Sequence, residues 1–203
     1  MKVDDDGRSP RGRGASQERR RAAAKLGTAR VFVALYPPAA TTGALLAKLG
    51  EHDLPPHRAT THDQLHLTAL FVGDVPERDL ERVRESVTGA ARGIQPFDVA
   101  PLHLAPLPQD GPARLLAAIC DLPSPLSELH ERLAHRLATH KRTSRSFLPH
   151  LTLCRFERPV ELDLADSLLD VPPFRVETVH LMQSRLGADG ALHRGLARVP
   201  LGG

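Results

Sequence analysis

Two short patterns in this 203-residue chain set an imidazole two residues before a hydroxyl: His66-Leu-Thr68 and His150-Leu-Thr152. Each lies in a leucine-flanked run, Gln64-Leu-His-Leu-Thr-Ala-Leu-Phe-Val-Gly73 and Phe147-Leu-Pro-His-Leu-Thr-Leu-Cys-Arg155. Both runs read as strands, with Pro149 where a strand tolerates proline. Strand side chains alternate faces, so His150, Thr152 and Cys154 share one face and Leu151, Leu153 and Arg155 the other, unless a bulge intervenes. By the same rule His66 and Thr68 face away from Leu65, Leu67 and Ala69. One such pattern carries little information. Two of them, 84 residues apart in matching surroundings, read as a duplicated site.

Imidazole can act as acid or base near neutral pH. Two imidazoles facing each other across a cleft can work on opposite sides of one phosphorus, one taking a proton from attacking water while the other protonates the departing oxygen in line. A hydroxyl two residues along each strand can donate to a non-bridging phosphate oxygen and stabilise the developing charge without a metal. The pattern therefore reads as a two-sided phosphate clamp. Other candidates fail on spacing. His52, His57 and His62 have no carboxylate or Cys spacing to support a metal and read as solvated loop residues. His130 and His135 stand five apart, about 140° around a helix, so they cannot form a zinc-protease face and read as exposed. Cys120 and Cys154 form no Cys-x-x-Cys pair and read as buried, reduced thiols. No metal site and no cofactor are expected.

The elements that must position these residues follow from periodicity and punctuation. A buried strand is expected over residues 30–36, stopped by Pro37-Pro38, then a helix over about 39–49 and a polar loop over 52–63. After the first motif, residues 73–76 read as a turn whose proline opens a helix over 77–92, striped by Leu80, Val83, Val87 and Ala91. Strands are expected at 96–100 and 114–120, joined by a Pro-rich turn over 106–112. Ser124 and Pro125 begin a helix running to about 140 with Leu126, Leu129, Leu133 and Leu137 inside. A basic loop over 141–146, with the look of a phosphate-attracting lip, leads into the second motif. Strands at 174–182 and 192–200 close the chain as a hairpin around residues 188–190. This order indicates α+β rather than a doubly wound sheet.

The formal net charge of +3 is unevenly spread. Residues 1–29 hold eight Lys and Arg against four Asp and Glu, whereas the rest holds 19 against 20. The basic character thus belongs to a tail that composition marks as disordered, and residues 30–203 lack the excess of charge expected of a general nucleic-acid binder. The start has no apolar signal core, and no run approaches the roughly 20 apolar residues of a membrane span. A soluble, cytoplasmic, monomeric protein is expected.

The sequence resembles the bacterial RNA 2′,3′-cyclic phosphodiesterases, also called 2′-5′ RNA ligases, of the 2H phosphoesterase superfamily. Both His-x-Thr motifs carry the resemblance, together with Arg30-Val-Phe-Val-Ala34, Phe71-Val-Gly73, Pro96-Phe97, the arginine at 155, and Leu181-Met-Gln-Ser-Arg-Leu-Gly187. It implies a fold of two similar lobes of antiparallel sheet with outer helices around a central cleft. It implies a catalytic pair at His66 and His150, phosphate-binding hydroxyls at Thr68 and Thr152, and a phosphate-binding Arg155. It implies hydrolysis of RNA 3′ ends or nucleotides bearing a 2′,3′-cyclic phosphate to a 2′-phosphomonoester, with weak reverse 2′-5′ ligation. His150 is assigned as base and His66 as acid, in a nearly symmetric pair. Phe32, with Tyr36, is the candidate for contacting the base. Two rivals are a phosphodiesterase acting on 2′-5′ oligoadenylate or ADP-ribose cyclic phosphate, and a nucleotide- or RNA-binding module without catalysis.

Overall fold

The computed structural model describes residues 27–137, 147–164, 168–187 and 190–203. The expectations placed on residues 1–26, on the basic loop at 141–146 and on the turn at 188–189 lie outside the described residues. The elements run β1 (Thr28–Leu35), α1 (Ala39–Gly50), β2 (His57–Ala59), β3 (Leu67–Pro76), α2 (Leu80–Ala91), β4 (Phe97–Val99), β5 (Pro101–Leu107), β6 (Ala113–Cys120), α3 (Ser124–Leu137), β7 (His150–Val160), β8 (Phe174–Val176), β9 (Thr178–Gly187) and β10 (Gly190–Pro200). The class is α+β, as the order of elements implied.

One eight-stranded sheet has the order β10-β9-β1-β3-β7-β6-β5, with β2 added on β7, and β4 pairs with β8 as a separate ribbon. The pairings in the large sheet are antiparallel. It divides naturally into two four-stranded lobes, because β3 and β7 share a single register pair, Leu67 with Leu151. Helices supply the other side of the core. The α3 stripe Leu126, Leu129, Leu133 and Leu137 is buried as the spacing required, and so are Val83, Val87 and Ala91 of α2. On the sheet Val31, Val33, Leu35, Leu67, Leu151 and Leu153 join that core, whereas Phe32, Ala34 and Met182 form a small cluster apart from it. Among the described residues no helix is long and apolar enough to cross a membrane.

Several local expectations shift. Residues 73–76 belong to β3 rather than a turn: Gly73 pairs with Val31 while Phe71 pairs with Phe32, so Val72 is an extra residue. Gly73 meets that bulge with a φ of +98°, a region glycine enters without strain. The 52–63 loop contains β2, a three-residue strand that exists because β7 pairs with it. Residues 101–107 form a strand, β5, that the proline-rich composition hid. Thr28 and Ala29 belong to β1, and the Gly27 carbonyl accepts the Glu77 amide at 2.7 Å, so residues 27–29 are tied into the described fold.

Candidate active site

The pair that joins the lobes is the middle residue of each motif. Leu67 and Leu151 are both fully buried, so their neighbours His66, Thr68, His150 and Thr152 turn to the opposite face. Continuing the antiparallel register sets His66 across from Thr152 and His150 across from Thr68. The duplication in the sequence thus becomes a local two-fold arrangement, with an imidazole and a hydroxyl from each lobe lining one cleft of about 500 Å³.

Each imidazole is oriented alike. The Nδ1–H of His66 donates to the Gln64 carbonyl at 2.6 Å, and that of His150 to the Leu148 carbonyl at 2.9 Å. A carbonyl only accepts, so both rings hold their proton on Nδ1 and leave Nε2 for chemistry. The supporting segments are themselves tied down. The Gln64 side chain donates to the Ala191 carbonyl on β10 at 3.0 Å, and the Pro149 carbonyl accepts the Cys120 amide at 2.9 Å.

A matching bulge follows each threonine. Ala34 pairs with Thr68 and Val33 with Leu70, leaving Ala69 extra; Ala117 pairs with Thr152 and Leu116 with Cys154, leaving Leu153 extra. Each bulge reverses the phase of its strand. Strict alternation had put Cys154 in the cleft and Arg155 outside it; the bulge buries Cys154 completely and brings Arg155 into the cleft wall. In the other lobe the same step turns Phe71, 37 % exposed, toward the cleft.

Among the side chains missed by sequence reading are three titratable ones in the cleft. Arg58 on β2 is the direct cross-strand partner of Arg155, so two guanidiniums share one side of the site. Arg30 also lines it, with its guanidinium 4.9 Å from the Phe71 ring centroid. His193 on β10 lies edge-on to His66, centroids 5.2 Å apart. Arg58 had no local signal, since its strand depends on β7; His193 had only the alternation of β10. None of the described residues lining the cleft is acidic. Phe32 does line it but is 4 % exposed, packed against the rings of His66 and His193 at 5.0 and 4.9 Å. It braces the histidine wall, and Phe71, with Arg30 over its ring, is the more exposed aromatic of the cleft.

Burial lowers the His66 pKa from 6.5 to about 4, helped by the nearby His193, His150 and Arg155 and opposed by the Gln64 carbonyl. Burial likewise lowers His193, with Asp63 opposing. The Arg155 guanidinium is also disfavoured, first by burial and then by the facing Arg58. Burial is the first cause of all three shifts and favours the uncharged form of each group. Burial pushes both thiols up, Cys120 to about 12, which leaves them unreactive. Among the described residues no group of three or more His, Cys, Asp or Glu is placed to hold a metal.

The sequence model of the 2′-5′ RNA ligase superfamily matches residues 37–188. A curated relative from Methanothermobacter thermautotrophicus, named RNA 2′,3′-cyclic phosphodiesterase, is 28% identical over 138 residues, spanning 64% of this chain and 75% of its own. Among solved structures, the Thermus thermophilus protein TT0787 superposes with a TM-score of 0.76 at 24% identity, over 85% of this chain and 97% of that one. E. coli LigT complexed with 3′-AMP superposes with a TM-score of 0.72 at 20% identity, over 86% of this chain and 98% of that one. At these identities the two structures speak for the fold: the antiparallel α+β architecture of 2H phosphoesterases.

Proposed function

The chain belongs to the 2′-5′ RNA ligase superfamily, and from that premise we propose that it is a cyclic phosphodiesterase that opens a ribose 2′,3′-cyclic phosphate to a 2′-phosphomonoester. The observation that carries this reading is the local two-fold meeting of His66-Leu-Thr68 with His150-Leu-Thr152 across an arginine-lined cleft.

In the proposed cycle the phosphate sits between the lobes, its non-bridging oxygens taking hydrogen bonds from Thr68 and Thr152 and charge from Arg155 and Arg58. Water enters opposite the bond to O3′ and loses a proton to one imidazole as it bonds to phosphorus. The bond to O3′ breaks, and the other imidazole protonates that oxygen. The phosphate stays on O2′, and the product leaves the first ring protonated and the second neutral, to be reset by solvent.

The difference in environment between the two rings supports an assignment of roles. Burial favours the neutral form of His66, the form that can accept a proton from water. We therefore assign His66 as the base and His150 as the acid, the exchange of the roles expected from sequence. Phe71 replaces Phe32 as the proposed stacking partner for the base.

RNA 3′ ends and nucleotides bearing the cyclic phosphate are the proposed substrates, and the enzyme is proposed to act as a cytoplasmic monomer. Reverse ligation would place a ribose 5′-hydroxyl where water enters. The test is turnover of three substrates by the purified protein: RNA ending in a 2′,3′-cyclic phosphate, 2′-5′ oligoadenylate and a 2′,3′-cyclic mononucleotide. Faster turnover of the oligoadenylate would move the substrate class, and no turnover of any would leave a binding module.

A further inference from the structure

The bulges at Ala69 and Leu153 create the same difficulty in both lobes. The extra residue drops out of the ladder, and its buried carbonyl needs another donor. At Leu153 the backbone amide of Thr60 supplies it at 2.7 Å. At Ala69 the donor is a side chain: the Nδ1–H of His130, on α3, reaches the carbonyl at 2.8 Å. This histidine was expected to be exposed. It follows Leu126 by four residues and precedes Leu133 by three, on the flank of the buried stripe, and it is partly buried.

The same ring makes a second contact. It lies flat on Phe147, with centroids 4.0 Å apart and 3° between the planes. The next residue, Leu148, gives the carbonyl that holds His150 by Nδ1. One imidazole therefore touches both half-sites: it bonds the residue next to Thr68 and stacks on the residue next to the His150 anchor. It does so where β3 and β7 share only the Leu67–Leu151 pair.

We propose that His130 is a positioning residue that sets the two catalytic half-sites against each other without touching substrate. The inference rests on the phosphodiesterase reading of the cleft. His130 is not among the residues lining that cleft, so its loss should leave the phosphate-binding groups in place. What it changes is the alignment of base, phosphorus and acid, on which rate depends steeply, since a shift of about 1 Å can cost on the order of a hundredfold. The effect belongs in kcat rather than KM.

Two substitutions separate the two contacts. His130→Phe keeps a flat ring on Phe147 and removes the donor; His130→Asn puts an amide N–H where Nδ1 stood and removes the stack. On a 2′,3′-cyclic mononucleotide, His130→Phe should lower kcat roughly tenfold with KM within about twofold, and His130→Asn should recover part of that loss. Inhibition by the 2′-phosphate product should stay near wild type in both. A substrate-independent reading comes from imidazole NMR. The Nδ1–H protons of His66 and His150 should exchange faster with solvent in His130→Phe than in wild type, while the protein remains folded at the temperature of the assay. Unchanged kcat and unchanged exchange would overturn the proposal, as would an equal loss of kcat and product affinity. If the wild-type protein turns over no cyclic phosphate the reaction reading fails, and the exchange measurement then decides the positioning role by itself.

Discussion

The histidine that the fold keeps neutral should make the protein sensitive to acid through one identifiable ring. In the unfolded chain His66 takes up its proton near 6.5, whereas in the folded protein burial holds that uptake back to about 4. Between those values the unfolded chain binds the extra proton, so folding is favoured by high pH and loses support as pH falls. The contribution is complete above about pH 6.5. At about 1.4 kcal/mol per pH unit, it shrinks by about 3 kcal/mol at most by pH 4. The perturbation is His66→Asn, which keeps an N–H for the Gln64 carbonyl and cannot titrate. The assay is urea unfolding of both proteins at pH 7 and pH 4. His193 and His180 are also lowered by burial, but they are present in both proteins and cancel to first order in the comparison. The wild type should lose about 3 kcal/mol more than the variant between the two pH values. Parallel losses would refute the claim that the fold holds His66 neutral, and with it the argument for its role as base.

Other consequences concern activity directly. His66→Ala and His150→Ala should each lower kcat by about 10²–10⁴-fold, and the double variant should be hardly worse than the poorer single one; near-normal turnover in either would remove that residue from the mechanism. Thr68→Val and Thr152→Val lose one hydroxyl donor each and should cost less, on the order of tenfold, in the same steady-state assay. Turnover should survive EDTA, because side chains handle every proton and charge; loss in chelator, restored by a divalent ion, would call for metal-assisted hydrolysis instead. Removing residues 1–26, which stops short of β1, should leave turnover of a cyclic mononucleotide unchanged, whereas cutting to residue 29 removes the buried Ala29 and should destabilise the fold.

What could be read in the sequence was whatever depends on neighbours in the chain. The His-x-Thr pairs, the α3 leucine stripe and the buried strand ahead of Pro37 all declare themselves within a dozen residues. What could not be read depends on pairing between distant segments. Arg58 enters the cleft because three residues of an apparent loop find an open edge on β7. Cys154 and Arg155 exchange faces because Leu153 is extra relative to β6, and a two-residue alternation carries no record of its partner strand. Phe32 lines the cleft as its strand suggested, but three-dimensional packing set two imidazoles against its ring and left Phe71 the more exposed aromatic. His130 looked like a solvated helix residue because its acceptor lies 61 residues away, on a carbonyl that exists as a free acceptor only once a bulge has formed.

The central claim is that two imidazoles, one from each lobe, act in line on a single phosphorus so that the bond to O3′ breaks. The most direct measurement is the identity of the product when the purified chain acts on a 2′,3′-cyclic mononucleotide in EDTA, followed by ³¹P NMR. The account predicts one product, the 2′-phosphomonoester, with His66→Ala and His150→Ala each abolishing its formation on the same time scale. A 3′-phosphomonoester, a mixture of the two isomers, or the 2′ product from either histidine variant at the wild-type rate would contradict it.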